Sequence, residues 1–198
     1  MSGPLILALD LSKTMTGVAF GRPGERPTLL SLPGKDIETA AAMAKLGTWL
    51  IEFCRVSKPD WLYYEAALGI IPGEYDPEEK RVKAKGNPQT TITLAKMTGV
   101  VEFVAEMKKI RWRTGKVQTV RKTFVGHGYP PNPKKHVKAM CVELGWTPKN
   151  TDEADAAALW SWSCIQVAPS QAQIVTPMQH RKVAALMAPA GVFAEGRP

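Results

Sequence analysis

The amino-acid sequence predicts an α/β domain, because short apolar runs typical of buried strands alternate with longer segments of helical periodicity. Residues 5–10 form an apolar run that ends in an acid, and residues 16–20 provide an antiparallel partner strand. Residues 28–32 predict a third strand. Residues 61–65 form another apolar run that ends in an acid and predict a further buried strand.

Apolar residues at helical spacing predict a helix at 36–55, and Pro59 follows its end. Gly, Pro and charged residues accumulate between residues 66 and 88, which predicts an exposed loop. The remaining predicted elements are helices at 90–109, 134–144 and 152–166, a strand at 116–120 and a loop at 126–133.

The length of 198 residues suits one domain with a full core. We predict that this domain spans residues 1–166. Residues 167–198 are rich in Ala, Pro and Gln, with one periodic piece at 178–187. They predict a C-terminal extension that is either flexible or a docked helix.

Composition predicts a cytoplasmic protein that does not contact a membrane. The sequence contains neither a long apolar stretch of membrane-spanning length nor a secretory signal at its beginning. Its cysteines, Cys54, Cys141 and Cys164, are odd in number and widely spaced, which indicates reduced thiols rather than a disulfide framework or a zinc site.

The formal net charge is +8, and its distribution along the chain is uneven. Residues 107–142 contain no Asp or Glu. Such a basic stretch predicts binding of a polyanion through phosphate contacts, although a solvated basic face without a partner is the alternative. Its cationic residues are Lys108, Lys109, Arg111, Arg113, Lys116, Arg121, Lys122, Lys134, Lys135 and Lys138.

Four acids occupy positions from which they can converge. Asp10 and Glu65 each end a predicted strand, and Asp152 and Asp155 share one face at the start of a predicted helix, whereas Glu153 points elsewhere. Converging carboxylates repel one another unless divalent cations lie between them, and hard oxygen ligands favour Mg²⁺ or Mn²⁺. Two such ions can support hydrolysis of a phosphodiester. Each acid alone is equally compatible with capping a turn or a helix N-terminus.

The order of these motifs resembles the RuvC family of Holliday junction resolvases. The matching segments are Ile6-Leu7-Ala8-Leu9-Asp10 followed by Thr16-Gly17, then Tyr63-Tyr64-Glu65-Ala66, the basic segment 121–128, and Thr151-Asp152-Glu153-Ala154-Asp155-Ala156. The resemblance covers residues 5–165. It implies an RNase H-like fold, with a mixed five-stranded sheet flanked by helices.

The resemblance also implies a mechanism and partners. Asp10, Glu65, Asp152 and Asp155 would hold two Mg²⁺ ions, for which Mn²⁺ would substitute, and Lys134 would assist at the scissile phosphate. A homodimer would resolve branched DNA, a four-way junction, by paired nicks during recombination and repair. We predict DNA contacts by Arg111, Arg113, Arg121, Lys122, Lys134, Lys135, Lys138 and Tyr75.

Two further surfaces have alternative interpretations. Tyr75 or Ile70-Ile71 could wedge against unstacked bases, or could belong to an ordinary loop. The helix at 90–109 carries apolar residues on more than one face, including Ile92, Val100 and Phe103, so it is a candidate dimer interface as well as a candidate core helix.

The chain departs from the family in having Leu11-Ser12 where Pro-Gly is usual, and in a longer segment after Glu65. Three alternatives therefore stay open. One is a related nuclease that acts on flaps or forks, and another is a non-catalytic binder of DNA structures. The third is a phosphotransferase of the actin/sugar-kinase superfamily, which Asp10-x-Ser12-x-Thr14-x-Thr16 also resembles.

Overall fold

The computed structural model describes residues 3–65, 71–76, 81–85, 88–128 and 132–187, with backbone only for 71–76 and 81–85. Its strands are β1 (Ile6–Asp10), β2 (Met15–Gly21), β3 (Thr28–Pro33), β4 (Trp61–Glu65), β5 (Ile71–Asp76), β6 (Arg81–Lys85) and β7 (Arg111–Gly115). Its helices are α1 (Thr39–Ser57), α2 (Pro88–Met107), α3 (Val117–Val125), α4 (Pro133–Glu143), α5 (Thr151–Val167) and α6 (Pro177–Met187). None of the described helices is both long enough and apolar enough to cross a membrane.

Five strands form a mixed sheet in the order β3-β2-β1-β4-β7. The pairs β1–β2 and β2–β3 are antiparallel, whereas β1–β4 and β4–β7 are parallel. The predicted α/β fold with a mixed five-stranded sheet flanked by helices is therefore confirmed. Because β1 and β4 are parallel neighbours, their carboxyl ends meet at one edge of the sheet.

The central strand β1 is buried on both faces, which explains its uninterrupted apolar sequence. Alternate residues point to opposite faces of a strand. Ile6 and Ala8 accordingly contribute to the core shared with α3, α4 and α5, whereas Leu7 and Leu9 contribute to the core shared with α1 and α2. The sheet is thus the middle layer of three.

Helix α5 packs unusually close to the sheet because small residues line the contact. Ala8 and Ala19 lie in the same buried cluster as the alanines of α5. The closest approach is at Gly17, where an added Cβ would lie 1.9 Å from the backbone oxygen of Asp152. Gly17 pairs with Asp10 across β1 and β2. The first turn of α5 therefore lies directly over the strand end that carries Asp10.

Two sequence predictions were wrong. Residues 116–120 do not form a strand; Val117–Val125 is helix α3, and the strand lies just before it at Arg111–Gly115. The apolar positions Val120 and Phe124 are four residues apart, which is helical spacing. The edge strand lacks an apolar pattern because two of its five residues are arginines. Within the predicted loop 66–88, β5 and β6 pair antiparallel.

The C-terminal helix α6 packs on α4. Thr176 and Gln179 cap its start reciprocally, with the Thr176 amide donating to Gln179 Oε1 at 2.9 Å and the Gln179 amide donating to Thr176 Oγ1 at 3.3 Å. Val183 is buried in the core that contains α4. Lys182 Nζ lies 2.6 Å from Glu143 Oε2. These contacts place residues 177–187 against the core rather than in solvent.

The contact at Gly17 generates a stability prediction. Gly17→Ala would drive a methyl group into the backbone of Asp152, so α5 must move away from the sheet. We expect a loss of about 1–3 kcal/mol in the free energy of unfolding, measured by urea denaturation. Gly99→Ala on α2 is the matched control, because an added Cβ there meets nothing within 4 Å. That control should be neutral or slightly stabilising. Equal effects of the two substitutions would contradict the proposed close contact.

Candidate active site

The first two acids are brought together by strand order. Asp10 is the last residue of β1 and Glu65 is the last residue of β4. The register pairs Leu9 with Tyr64, so the two acids lie side by side at the carboxyl edge of the sheet. A hydrogen bond between the two carboxyl groups lowers the pKa of Glu65, although other influences on that pKa are larger.

The other two acids are placed by the start of α5. Asn150 caps this helix by accepting a hydrogen bond from the Glu153 amide at 2.8 Å. Glu153 itself is buried and turned away from the acids, where it accepts from Ser31 Oγ at 3.0 Å and from the Lys149 amide at 2.7 Å. These bonds fix α5 against β3, which leaves Asp152 and Asp155 to face Asp10.

The pKa values indicate a single electrostatic cluster. Burial raises the pKa of Asp10 well above its ordinary value, and Glu65, Asp155 and Asp152 raise it further. Burial, followed by the charge of Asp155, raises the pKa of Glu65 to about 7. Burial also raises the pKa of Asp155, with Asp152 adding to the effect. We call these four residues the acid cluster.

Two cations oppose this repulsion. Lys134, in the first turn of α4, donates from Nζ to Asp152 Oδ1 over 3.2 Å. Although burial lowers the pKa of Lys134, the nearby Asp152, Asp155 and Asp10 raise it overall. Arg121 on α3 lowers the pKa of both Glu65 and Asp155. Its Nε is buried without a hydrogen-bond partner in the described structure.

The chemistry of the acid cluster fits a divalent cation, because it offers hard carboxylate oxygens that are buried and mutually repelling. Among the described residues, however, no three His, Cys, Asp or Glu side chains are arranged around a common metal position. Asp10 and Glu65 are hydrogen-bonded to each other, and Asp152 pairs with Lys134. The Lys134 ammonium thus occupies a direction from which a cation would approach Asp152.

The Ser12 hydroxyl is engaged within the turn between β1 and β2. It lies 3.0 Å from Thr14 Oγ1 and accepts from the Thr14 amide at 3.3 Å. Thr16 Oγ1 donates to the Ser12 carbonyl at 3.0 Å. These local bonds shape the turn between β1 and β2 through side-chain hydroxyls instead of a glycine.

The remaining predicted DNA contacts lie in three places. Lys122 follows Arg121 on α3, and Lys135 and Lys138 are on α4 with Lys134. Lys138 Nζ donates to the Lys149 carbonyl at 3.3 Å. Arg111 and Arg113 are on β7 and stack on Trp61, away from the acid cluster. Tyr75 lies in β5, where side chains are outside the described structure, as is residue 70.

Sequence reasoning missed two structural contributions to this site. The first is Gly17, whose lack of a side chain admits the first turn of α5; the Thr16-Gly17 pair was noted, but only as part of a motif. The second is Ser31, which holds Glu153 from β3. No sequence pattern links residues 31 and 153, because their contact depends on how α5 crosses the sheet.

Comparisons with known proteins show which solved structures share this fold. No protein-family model and no curated protein sequence matches the chain. Solved structures match it across most of its length. One is Thermus thermophilus RuvC, with a TM-score of 0.61, 14% identity, and coverage of 86% of this chain and 99% of that one. The chain has the RNase H-like fold of RuvC.

Two further structures share the RuvC fold. T. thermophilus RuvC in complex with Holliday junction substrate matches with a TM-score of 0.63 and 14% identity, covering 87% of this chain and 99% of that one. The yeast mitochondrial Holliday junction resolvase Ydc2 matches with a TM-score of 0.55 and 13% identity, covering 92% and 84%. The structural resemblance to RuvC resolvases expected from the sequence motifs is therefore confirmed.

The raised pKa of Glu65 generates a prediction about stability and pH. Its value of about 7 in the folded chain lies above the ordinary 4.5, so the unfolded chain ionises first and metal-free protein loses stability as pH rises from about 4.5 to 7. Glu65→Gln should remove this cost, on the order of 1–3 kcal/mol. In EDTA, the variant should unfold at a higher temperature than the parent at pH 7.5 and at a similar temperature at pH 4.5.

The exposed Glu25 provides the control for this measurement, since Glu25→Gln removes a carboxylate outside the acid cluster. That variant should follow the parent at both pH values. If Glu65→Gln is less stable than the parent at pH 7.5, the cost of burying an ionised carboxylate beside Asp155 is not the dominant effect at this position.

Proposed function

We propose that this chain is a divalent-metal-dependent DNA endonuclease that resolves four-way junctions by paired hydrolysis of phosphodiesters. The observation that carries the proposal is the acid cluster at the carboxyl edge of the sheet, flanked by Lys134 and Arg121, in a chain with the RuvC fold. T. thermophilus RuvC, which shares this fold, has been solved in complex with a Holliday junction substrate. That complex supports the choice of substrate.

Asp10, Glu65, Asp152 and Asp155 would hold Mg²⁺, with Mn²⁺ as a substitute. Two bound ions would activate the attacking water and stabilise the leaving oxygen of an in-line displacement. The strand ends and the capped helix supply these ligands from rigid elements, which suits a reaction that depends on positioning. Loading the site would require ionisation of the carboxyl groups whose pKa burial raises and release of Lys134 from Asp152.

The two cations have distinct uses in this mechanism. Lys134 is more than half exposed, so its ammonium can turn from Asp152 to a non-bridging oxygen of the scissile phosphate. Arg121 is partly buried, with its Nε inaccessible to solvent. Its charge would offset the negative charges of Glu65 and Asp155 before the substrate arrives. The exposed Lys122 and Lys135, together with Lys138, would contact the adjoining phosphates.

A homodimer would supply one active site for each strand that is cut in a two-fold-symmetric junction. Helix α2 supports this proposal, because Ile92, Phe103 and Met107 are 47%, 68% and 48% exposed. Val100 lies instead against Gly47 of α1, on the core side. The outer face of α2 is therefore the proposed interface, with Val100 excluded from it.

The first test compares cleavage of a synthetic four-way junction, duplex, flap and fork in Mg²⁺ and in EDTA. The parent protein should make symmetric nicks in the junction only with Mg²⁺, whereas Asp10→Asn should cut at least about 10³-fold more slowly because one of the proposed metal ligands is lost. Junction binding by Asp10→Asn should persist. Glu25→Gln is the control and should cut normally.

The other outcomes of this test assign different functions. Preferential cutting of flaps or forks would retain the chemistry and exclude a dedicated junction resolvase. Binding without metal-dependent cleavage of any substrate would leave a non-catalytic binder of DNA structures. Normal cleavage by Asp10→Asn would overturn the site assignment.

Lys134 and Lys135 provide a second, internally matched test. Both are exposed lysines on the same helix, but among the described contacts only Lys134 reaches the acid cluster. Lys134→Ala should lower the single-turnover cleavage rate by about 10²-fold or more, with junction affinity reduced only a few-fold. Lys135→Ala should weaken junction binding slightly and leave the cleavage rate of the bound complex unchanged. Matching losses in the two variants would make Lys134 an ordinary phosphate contact.

A further inference from the structure

A second cationic surface lies on the edge strand β7. The guanidinium carbon of Arg111 is 4.4 Å from the centroid of the Trp61 ring, and that of Arg113 is 5.3 Å from it. Both arginines are exposed, as are Lys108 and Lys109, which precede the strand. We call Trp61, Arg111 and Arg113, with these flanking lysines, the β7 surface.

The β7 surface is separate from the acid cluster. Arg111 pairs with Trp61 at the beginning of β4, whereas Glu65 is the last residue of that strand. At about 3.3 Å per residue, Arg111 lies roughly 13 Å along the strands from the level of Glu65, and Arg113, which pairs with Tyr63, lies between the two. The cations that lower the pKa of Glu65 and Asp155 are Arg121 on α3 and Lys134 on α4, and neither β7 arginine is among them.

Neither Arg111 nor Arg113 is neutralised by an acid in the part of the chain that the structure describes. Glu106, a nearby carboxylate at the end of α2, accepts instead from Trp112 Nε1 at 2.8 Å. Stacking on an aromatic ring restrains a guanidinium while leaving its N–H groups available. The edge of the sheet therefore presents two oriented guanidinium groups whose charge no neighbouring acid of the described structure neutralises.

We propose that the β7 surface binds the phosphate backbone of a DNA arm, as a second contact apart from the scissile phosphate. A planar guanidinium matches a phosphate through paired hydrogen bonds, and two such groups on one strand suit the repeated charges of a phosphodiester backbone. The Trp61 ring is covered by the arginines, so it is not a platform for bases. The contact is consequently independent of DNA sequence and supplies affinity rather than catalysis.

The distance from the acid cluster sets where on the DNA this contact falls. A separation of roughly 13 Å corresponds to about four base pairs at 3.4 Å per step. The proposal rests on the proposed function for the identity of the polyanion, but its test does not require cleavage. Binding of a linear duplex is sufficient to measure it.

The test combines Arg111→Ala with Arg113→Ala and measures affinity for a four-way junction and a linear duplex across salt concentrations in EDTA. Loss of two phosphate contacts should make the slope of log K against log salt shallower by about 2 and weaken binding by at least about 10-fold at low salt.

The control removes two cations elsewhere, with Lys35→Ala combined with Arg181→Ala; both side chains are exposed and distant in sequence from β7. Its salt slope should change by less than that of the β7 double variant. A second variant, Arg111→Lys with Arg113→Lys, keeps both charges and removes the planar forks. It should retain the parent salt slope while losing a few-fold in affinity.

Backbone substitution locates the contact. Uncharged methylphosphonate linkages about three to five nucleotides from the cut should weaken binding by the parent protein but not by the double alanine variant. An unchanged salt slope in a folded double alanine variant would overturn the proposal, as would equal loss of binding in the control. If the parent cuts no DNA but the slope still changes as expected, the proposed nuclease function fails while the β7 surface stands.

Discussion

The contact between the first turn of α5 and Gly17 is the constraint on which the site depends. Asp10 belongs to the sheet, whereas Asp152 and Asp155 belong to a helix distant in sequence, so their separation is set by the depth at which the helix lies. Any side chain at residue 17 would lift the Asp152 backbone from the strand end. The buried Glu153, bonded to Ser31, holds the same turn from the other side.

This placement carries an electrostatic cost that the rest of the fold must offset. Burial and mutual repulsion raise the pKa of Asp10, Glu65 and Asp155, which are unfavourable effects in a protein without bound cations. A purely structural role would be better served by neutral side chains at these positions. The large buried hydrophobic clusters on both faces of the sheet stabilise the fold and offset this cost. Unfavourable local electrostatics of this kind are typical of functional sites.

The sequence was sufficient to predict the elements whose pattern is determined by burial. β1 and β4 are enclosed on both faces, so their apolar runs and terminal acids were recognisable before any tertiary information. β7 was not recognisable, because an edge strand with arginines stacked on a neighbouring tryptophan has the polar composition of a loop. The strand was instead assigned to the next residues, where Val120 and Phe124 in fact follow helical periodicity.

The same distinction applies to the site. The four acids could be selected from their positions at element ends, and the structure brings them into one electrostatic cluster. The sequence could not show that the basic residues separate into groups on different surfaces. The basic stretch 107–142 was continuous in sequence and was interpreted as one DNA-binding surface. In three dimensions it runs from the end of α2 through β7 and α3 into α4, so its charges separate into groups with different neighbours.

That separation has a functional consequence. Arg121 and Lys134 are already engaged with carboxyl groups of the protein, so their charge is largely committed to balancing the acid cluster before DNA binds. Arg111 and Arg113 interact with a neutral ring and retain their full charge. Under the proposed function, a polyanion would be attracted more strongly to the β7 surface than to the acid cluster. A nuclease of the proposed kind needs attractive charge at a distance from its carboxylates, and the β7 surface would supply part of it, beside the exposed Lys122 and Lys135.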